Sequence, residues 1–273
     1  MRETLHINYD GNSLSFQEED CYESRGKSTI ILVKSAFETL SEEKRKMLKP
    51  FAAFFHLGDK SFYPLSLGSS KYNSRTIPCW TFDSWKECGI SDYENVCSEL
   101  IARGKTPPKH DCLFWIGNAN THPTRKLFLQ ISSNRPDVCA ADSGNWFGKD
   151  GEMKNAEKKY VSIPEHADYK YLIDIQGNGY SARGKLLMHS GRPLFYQDRQ
   201  WHEYWFFSTK PFVHYIPLKE DFSDLNEKLN WANTHPKECA TIATNALQFA
   251  VANLRRANAI QRYQDILMML GAD

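Results

Sequence analysis

Apolar residues in this chain fall into short runs separated by polar turns, and the spacing within the runs shifts between the strand period of two and the helix period of 3.6. Residues 4–9 and 13–16 predict two short strands around the turn Asp10-Gly11-Asn12, a hairpin signal. Residues 17–28 are polar and read as loop, and 30–34 form an apolar, β-branched run. Residues 41–48 predict a helix with Glu42 and Glu43 in its first turn, ended by Pro50. A buried strand is expected at 51–57, a loop at 68–74, a strand at 76–82, and a helix at 93–102 with Val96, Leu100 and Ile101 apolar. The two prolines and two lysines of 105–109 mark a linker. A strand at 112–116, a polar turn at 117–123, a helix from Thr124 and a glycine- and lysine-rich excursion over 144–159 follow. Further on, strands at 171–175 and 193–196 flank a helix-compatible run opening at Ser181. A strand at 213–218 and a helix at 224–231, capped by Asp221 or Ser223, come next. Residues 237–270 keep helical spacing (Ile242, Ala246, Phe249, then Ile260, Tyr263, Leu267, Leu270), and so long a stretch predicts a break near 253–258. Strands alternating with helices on both sides of the linker imply two α/β domains with a ligand cleft between them.

Composition narrows the partners. The 273 residues carry a net charge of +1 and 41% apolar content, so the chain is globular, with no electrostatic case for nucleic acid or an anionic membrane. No apolar run approaches the ~20 residues of a membrane span, and the start, MRETLHINYDGN, lacks the apolar core of a signal peptide. The seven cysteines are scattered with no C-x-x-C pair, which favours free thiols in a reducing compartment and a cytoplasmic location. Aromatic content of 13% suits a carbohydrate ligand, although most such rings fill core.

The richest chemistry lies in 169–203. An apolar strand meets the turn Gly177-Asn178-Gly179, then a run with Ser181, Arg183 and Lys185, then a second apolar strand. A βαβ unit of this kind presents free N–H groups and positive dipole to an anion. Glycines let the backbone approach a phosphate, and an arginine adds charge-assisted hydrogen bonds. The same turn fits G-x-G-x-x-A (Gly177, Gly179, Ala182) with Asp198 beyond it, the fingerprint of an NAD-dependent oxidoreductase. Against that stand its mid-chain position and the basic residues after it, which suit a nucleoside diphosphate leaving group better. A non-catalytic sugar-nucleotide binder is the third reading.

These motifs carry a resemblance. YKYLIDIQGNGYSARGKLL, SGRPLFYQDRQWHEYWF and KPFVHYIPLKEDFSDL, preceded by FFHLGDKSFYP and WIGNANTHPTRKLFL, resemble glycosyltransferase family 90, the CAP10 or Rumi type, over about residues 50–250. That family includes protein O-glucosyltransferases, xylosyltransferases and lipopolysaccharide-modifying relatives, and a short soluble bacterial or viral member fits best. The resemblance implies an α/β GT-B architecture of two Rossmann-like domains, with 1–106 on the acceptor side and 107–240 binding the UDP-sugar. The segment 241–273 then crosses back to the first. It also implies inverting, metal-independent transfer of xylose or glucose to a hydroxyl on a glycan or glycoprotein, with no cofactor. The chain has no D-x-D motif to chelate a metal–diphosphate complex. By position, Asp59 matches the catalytic base. Arg183, Ser181, Tyr180, Gly177 and Gly179 match the diphosphate turn, and Arg125 a second phosphate or ribose contact. Asn118 or Asn120 fills a donor-contacting slot, Pro164 and Glu165 meet uracil, and His202 and Glu203 reach sugar hydroxyls. Two family arginines are replaced here, by Ile116 and Gln176, so the site has less positive charge.

Overall fold

A computed structural model describes residues 3–21, 23–60, 63–145, 152–153 and 160–272. The expected hairpin forms from β1 (Thr4–Tyr9) and β2 (Leu14–Glu19). Its turn holds Gly11 at φ +99, and Asp10 Oδ1 accepts from the backbone N–H groups of Asn12 and Ser13, both at 2.8 Å. The polar stretch read as loop and the β-branched run after it form one helix, α1 (Glu23–Glu38). Its buried positions Ser28, Thr29, Leu32, Val33 and Ala36 keep the i, i+4 spacing of a helix face. The small polar members of that stripe, with Ser28 paired to Ser84 at 2.9 Å, hide the period from a hydrophobicity reading.

After α2 (Glu42–Met47), capped by Ser41, β3 (Phe51–His56) pairs antiparallel with β1. The resulting sheet, ordered β2-β1-β3, is antiparallel throughout, unlike the parallel sheet of a Rossmann-like unit. Only its inner face is covered: Leu5, Ile7 and Phe55 are buried while Phe54 is exposed, so β3 is half-buried rather than fully so. The strand expected at 76–82 is instead an irregular segment with a 3-10 turn at Trp80–Phe82.

The second layer is α/β with a parallel sheet, as expected. Helix α3 (Tyr93–Gly104), capped by Asp92, leads through 105–109 into β4 (His110–Gly117). Next come α4 (Pro123–Ser132), β5 (Val138–Asp142), β6 (Tyr169–Asp174), α5 (Gly184–Leu187), β7 (Leu194–Gln197) and β8 (Ile216–Leu218). The five strands run parallel in the order β5-β4-β6-β7-β8. Strand β4 is buried on both faces: Leu113 and Trp115 enter one core with Phe128, while Phe114 and Ile116 enter the other with Leu172. Edge strand β5 had no strong apolar run to announce it, and β8 is shorter than the 213–218 expected. The helix expected from Ser181 begins only at Gly184, spans four residues and passes into a 3-10 turn at Met188–Ser190. The excursion expected over 144–159 lies largely outside the described residues.

Three helices close the chain: α6 (Leu225–Thr234), α7 (Pro236–Asn253) and α8 (Arg256–Leu270), with the break at 254–255. The side chains of Asp221 and Ser223 do not cap α6, where Asp224 stands at the N-cap. Helix α8 returns to the first layer. Tyr263 stacks on Phe55 at 5.9 Å and donates to Pro78 O at 2.8 Å, and Gln264 donates to Thr39 Oγ1 at 2.9 Å. One apolar core therefore runs from the antiparallel sheet into the parallel layer.

Candidate active site

In the parallel sheet the chain leaves β4 to one side for β5 and returns on the other side as β6. The order reverses between β4 and β6, and a crevice outside their carboxyl ends is where open α/β sheets bind ligands. Two of the sequence-identified arginines meet there. Arg125, in the first turn of α4, donates to Gln176 O at 2.8 Å, Asn118 O at 3.1 Å and Ile175 O at 3.4 Å, tying the loop after β4 to the loop after β6. Arg183 donates through Nη1 to Ile116 O, and its Nε is buried with no hydrogen-bond partner among the described residues. Both guanidiniums lie near the Trp115 ring, at 5.7 and 6.0 Å from its centroid.

The charges do not balance. Asp174, fully buried at the end of β6, accepts from Arg199 at 2.9 Å and from Ser181 Oγ at 2.7 Å, and lies 3.8 Å from Arg183 Nε. Arg199 and Arg183 thus share one carboxylate, and Arg125 stands within its electrostatic reach. Burial, and next the neighbouring Arg183, push Arg125 down to about 9, and burial lowers Arg183 as well. An anion placed between them would relieve both effects. Asp174 and Arg199 were not singled out from the sequence. A lone acid in the apolar run YLIDI is the available signal, since a charge in a buried strand requires a partner.

From the first layer, the loop after β3 brings Asp59 onto the glycine turn. Asn178 Nδ2 donates to Asp59 Oδ2 at 3.3 Å, and Arg25 Nη2 donates to Oδ1 at 3.0 Å. Gly179 permits the approach: a Cβ there would lie 1.8 Å from Asp59 O. This contact also removes the dinucleotide reading. Gly179 is committed to the Asp59 backbone, and α5 begins five residues later and is four residues long. Gly177 borders Thr121 and Arg125.

The remaining sequence-identified residues serve varied ends. Ser181 spends its hydroxyl on Asp174, and Asn118 supplies its carbonyl to Arg125 while its side chain bonds Asn145 at 2.6 Å and accepts from Asn120 N at 2.9 Å. Tyr180 is buried against Gly68, its hydroxyl 3.4 Å from Cys79 Sγ. Pro164 and Glu165 sit in the 3-10 turn leading into β6, where Ser162 N and Oγ donate to Glu165 Oε2 at 2.7 Å each. His202 stacks on Phe206 at 3.8 Å and pairs with Tyr196 OH at 3.3 Å, and burial pushes it down to about 4. Lys185 points away from the arginines into the core, where Nζ lies 2.8 Å from Glu203 Oε1 and donates to Ala182 O. Burial raises the Glu203 carboxyl, with Lys185 opposing it. A cavity of about 450 Å³ between Thr124, Leu127, Glu220 and Asp221 lies beside the cluster, but its two carboxylates disfavour a diphosphate. Among the described residues no group of three or more His, Cys, Asp or Glu could hold a metal ion, and no helix is long and apolar enough to cross a membrane.

The fold and site define an α/β protein with an arginine cluster at the switch point of a parallel sheet. The chain belongs to glycosyl transferase family 90, which matches residues 67–270. Protein O-glucosyltransferase 2 of Danio rerio is 32% identical over 235 residues, covering 77% of this chain and 45% of the relative. Protein O-glucosyltransferase 1 of Rattus norvegicus is 25% identical over 213 residues, covering 73% and 54%. The chain thus spans about half the length of the curated relatives it matches. Among solved structures, Anabaena HepE in complex with UDP-glucose is similar at TM-score 0.41 and 16% identity, covering 63% of this chain and 45% of that one.

Proposed function

We propose that the chain is an inverting glycosyltransferase that moves glucose from UDP-glucose to an acceptor hydroxyl on a glycan or glycoprotein, with UDP-xylose as the alternative donor. The observation that carries this reading is the surplus of guanidinium charge between Arg125 and Arg183, opposite Asp59. Transfer leaves a diphosphate with growing negative charge, and preorganised cations in a partly dry crevice stabilise it more in the transition state than in the bound donor. Asp59, across the glycine turn, accepts the proton as the acceptor oxygen attacks the face opposite UDP. The names of the relatives favour glucose. The parallel α/β layer and α8 returning to the first layer suit the GT-B plan. Guanidiniums at the leaving group supply the charge that a metal ion would otherwise bring, so the transfer is metal-independent. Seven unpaired thiols suit a reducing, cytoplasmic setting.

Calorimetric titration with UDP in excess EDTA, paired with a screen of UDP-sugars for release of UDP, tests this. Binding and turnover in EDTA support the proposal. NADH binding without UDP binding, or a strict requirement for manganese, contradicts it.

A further inference from the structure

Asp59 has both carboxylate oxygens engaged, and by unlike partners. Asn178 reaches Oδ2 from the exposed tip of the glycine turn, a neutral contact at 3.3 Å. Arg25 reaches Oδ1 at 3.0 Å from the first turn of α1. The Arg25 guanidinium is itself fixed: Nη1 donates to Leu57 O at 2.8 Å and to Glu3 Oε2 at 3.1 Å, and Cζ lies 4.3 Å from the Trp80 ring centroid. Its side chain is 15% exposed, against 29% for Asp59, so the arginine is the less mobile member of the pair. Leu57 O and Glu3 engage only Nη1, and Nη2 is the nitrogen that reaches Asp59. The planar fork also spans from Leu57 O to Asp59 Oδ1, two residues on, and so dictates the rotation of the carboxylate.

The geometry points to Arg25 as the positioning residue of the base: it holds Oδ1 and leaves Oδ2 facing the donor turn. Asn178 occupies Oδ2 until an acceptor hydroxyl displaces it. This inference rests on the assignment of Asp59 as base. In the step it serves, the acceptor O–H bond breaks and its proton passes to Asp59 Oδ2. The oxygen's electron pair forms the bond to the anomeric carbon, and the bond to the diphosphate oxygen breaks with its pair leaving on UDP. Both Arg25 and Asp59 lie outside the residues 67–270 matched by the family.

The test is UDP release from UDP-glucose by the wild type, Arg25→Ala, Arg25→Lys, Asp59→Asn and the Arg25→Ala/Asp59→Asn double variant, with UDP affinity and Tm measured on each. Arg25→Ala is expected to lower kcat about a hundredfold, the scale of a misplaced catalytic group. UDP affinity should stay within about twofold, because Arg25 touches neither Arg125 nor Arg183. Arg25→Lys should recover part of the rate. On the Asp59→Asn background, Arg25→Ala should cost nothing further, a coupling that a purely structural arginine would not produce. Near wild-type kcat in Arg25→Ala, with Asp59→Asn inactive, overturns the positioning role alone. An active Asp59→Asn overturns the base assignment beneath it. If Arg25→Ala does not fold, Arg25→Lys decides: lowered kcat at unchanged Tm and UDP affinity supports the role, and unchanged kcat overturns it.

Discussion

Arg125 and Arg183 are held by main-chain carbonyls at the ends of two parallel strands, whereas Asp59 is held by side chains from two different layers. The Ile116 carbonyl belongs to β4, and those of Asn118, Ile175 and Gln176 lie one or two residues beyond the ends of β4 and β6, so the parallel sheet fixes the cation cluster. The Asp59 carboxylate sits on a loop beyond a three-stranded sheet with one bare face, and its orientation depends on Arg25 and Asn178. The proposed donor side is thus preorganised by the fold and the proposed base side by replaceable contacts. Substitutions on the two sides should therefore separate binding from chemistry.

The largest separation is expected from Asp59→Asn. Removing a general base costs about a thousandfold in turnover, and steady-state release of UDP should fall by that much while calorimetric UDP affinity holds. Equal losses in both would erase the distinction between the sides. Gly179→Ala strikes where the two regions touch. Its methyl group meets backbone, the Asp59 carbonyl, which cannot rotate aside, and overpacking of this kind costs about 2–3 kcal/mol in unfolding free energy. Denaturant melts that match wild type would show that the turn and the Asp59 loop part easily.

Acidification should loosen the donor side first. His166 is pushed down to about 3, and His189 and His202 to about 4, all by burial and all within the parallel layer. Their folded values lie below the ordinary 6.5, so the folded state favours the neutral rings and the unfolded chain takes up protons first. The stability they contribute is full above about pH 6.5 and falls steadily as pH drops toward the folded values, on the order of 2 kcal/mol per ring at pH 5. Hydrogen exchange at pH 5 should show β6 and β7 losing protection before β1 and β3, and His202→Phe should flatten part of that dependence. A uniform loss across both sheets would count against it. The smallest expected effect is on binding: Arg183→Ala should weaken UDP by about tenfold, or 1.4 kcal/mol, and unchanged affinity would remove this arginine from the phosphate site.

The parallel layer was the more legible half. Continuous apolar runs such as 112–116 and 171–175 announce strands buried on both faces, and the glycine turn after the second marks the site. The first layer was not legible in the same way. The buried stripe of α1 includes Ser28 and Thr29, so a polar stretch read as loop supplies part of a packed helix face. The arginines were visible, but their meeting was not, because it depends on β6 returning beside β4 on the side away from β5. Lys185 looked like a phosphate ligand from its place in sequence, yet a fully buried Glu203 draws it inward. Arg25 lies 34 positions before Asp59, and no spacing rule joins them.

Arg125 and Arg183 are proposed to hold the departing diphosphate opposite Asp59. A crystal structure of the protein with UDP tests this most directly. The diphosphate is expected between the two guanidiniums, at the carboxyl ends of β4 and β6 and facing the Asp59 loop. Density for UDP in the cavity beside Glu220 and Asp221, with both arginines unchanged and bare, would contradict it.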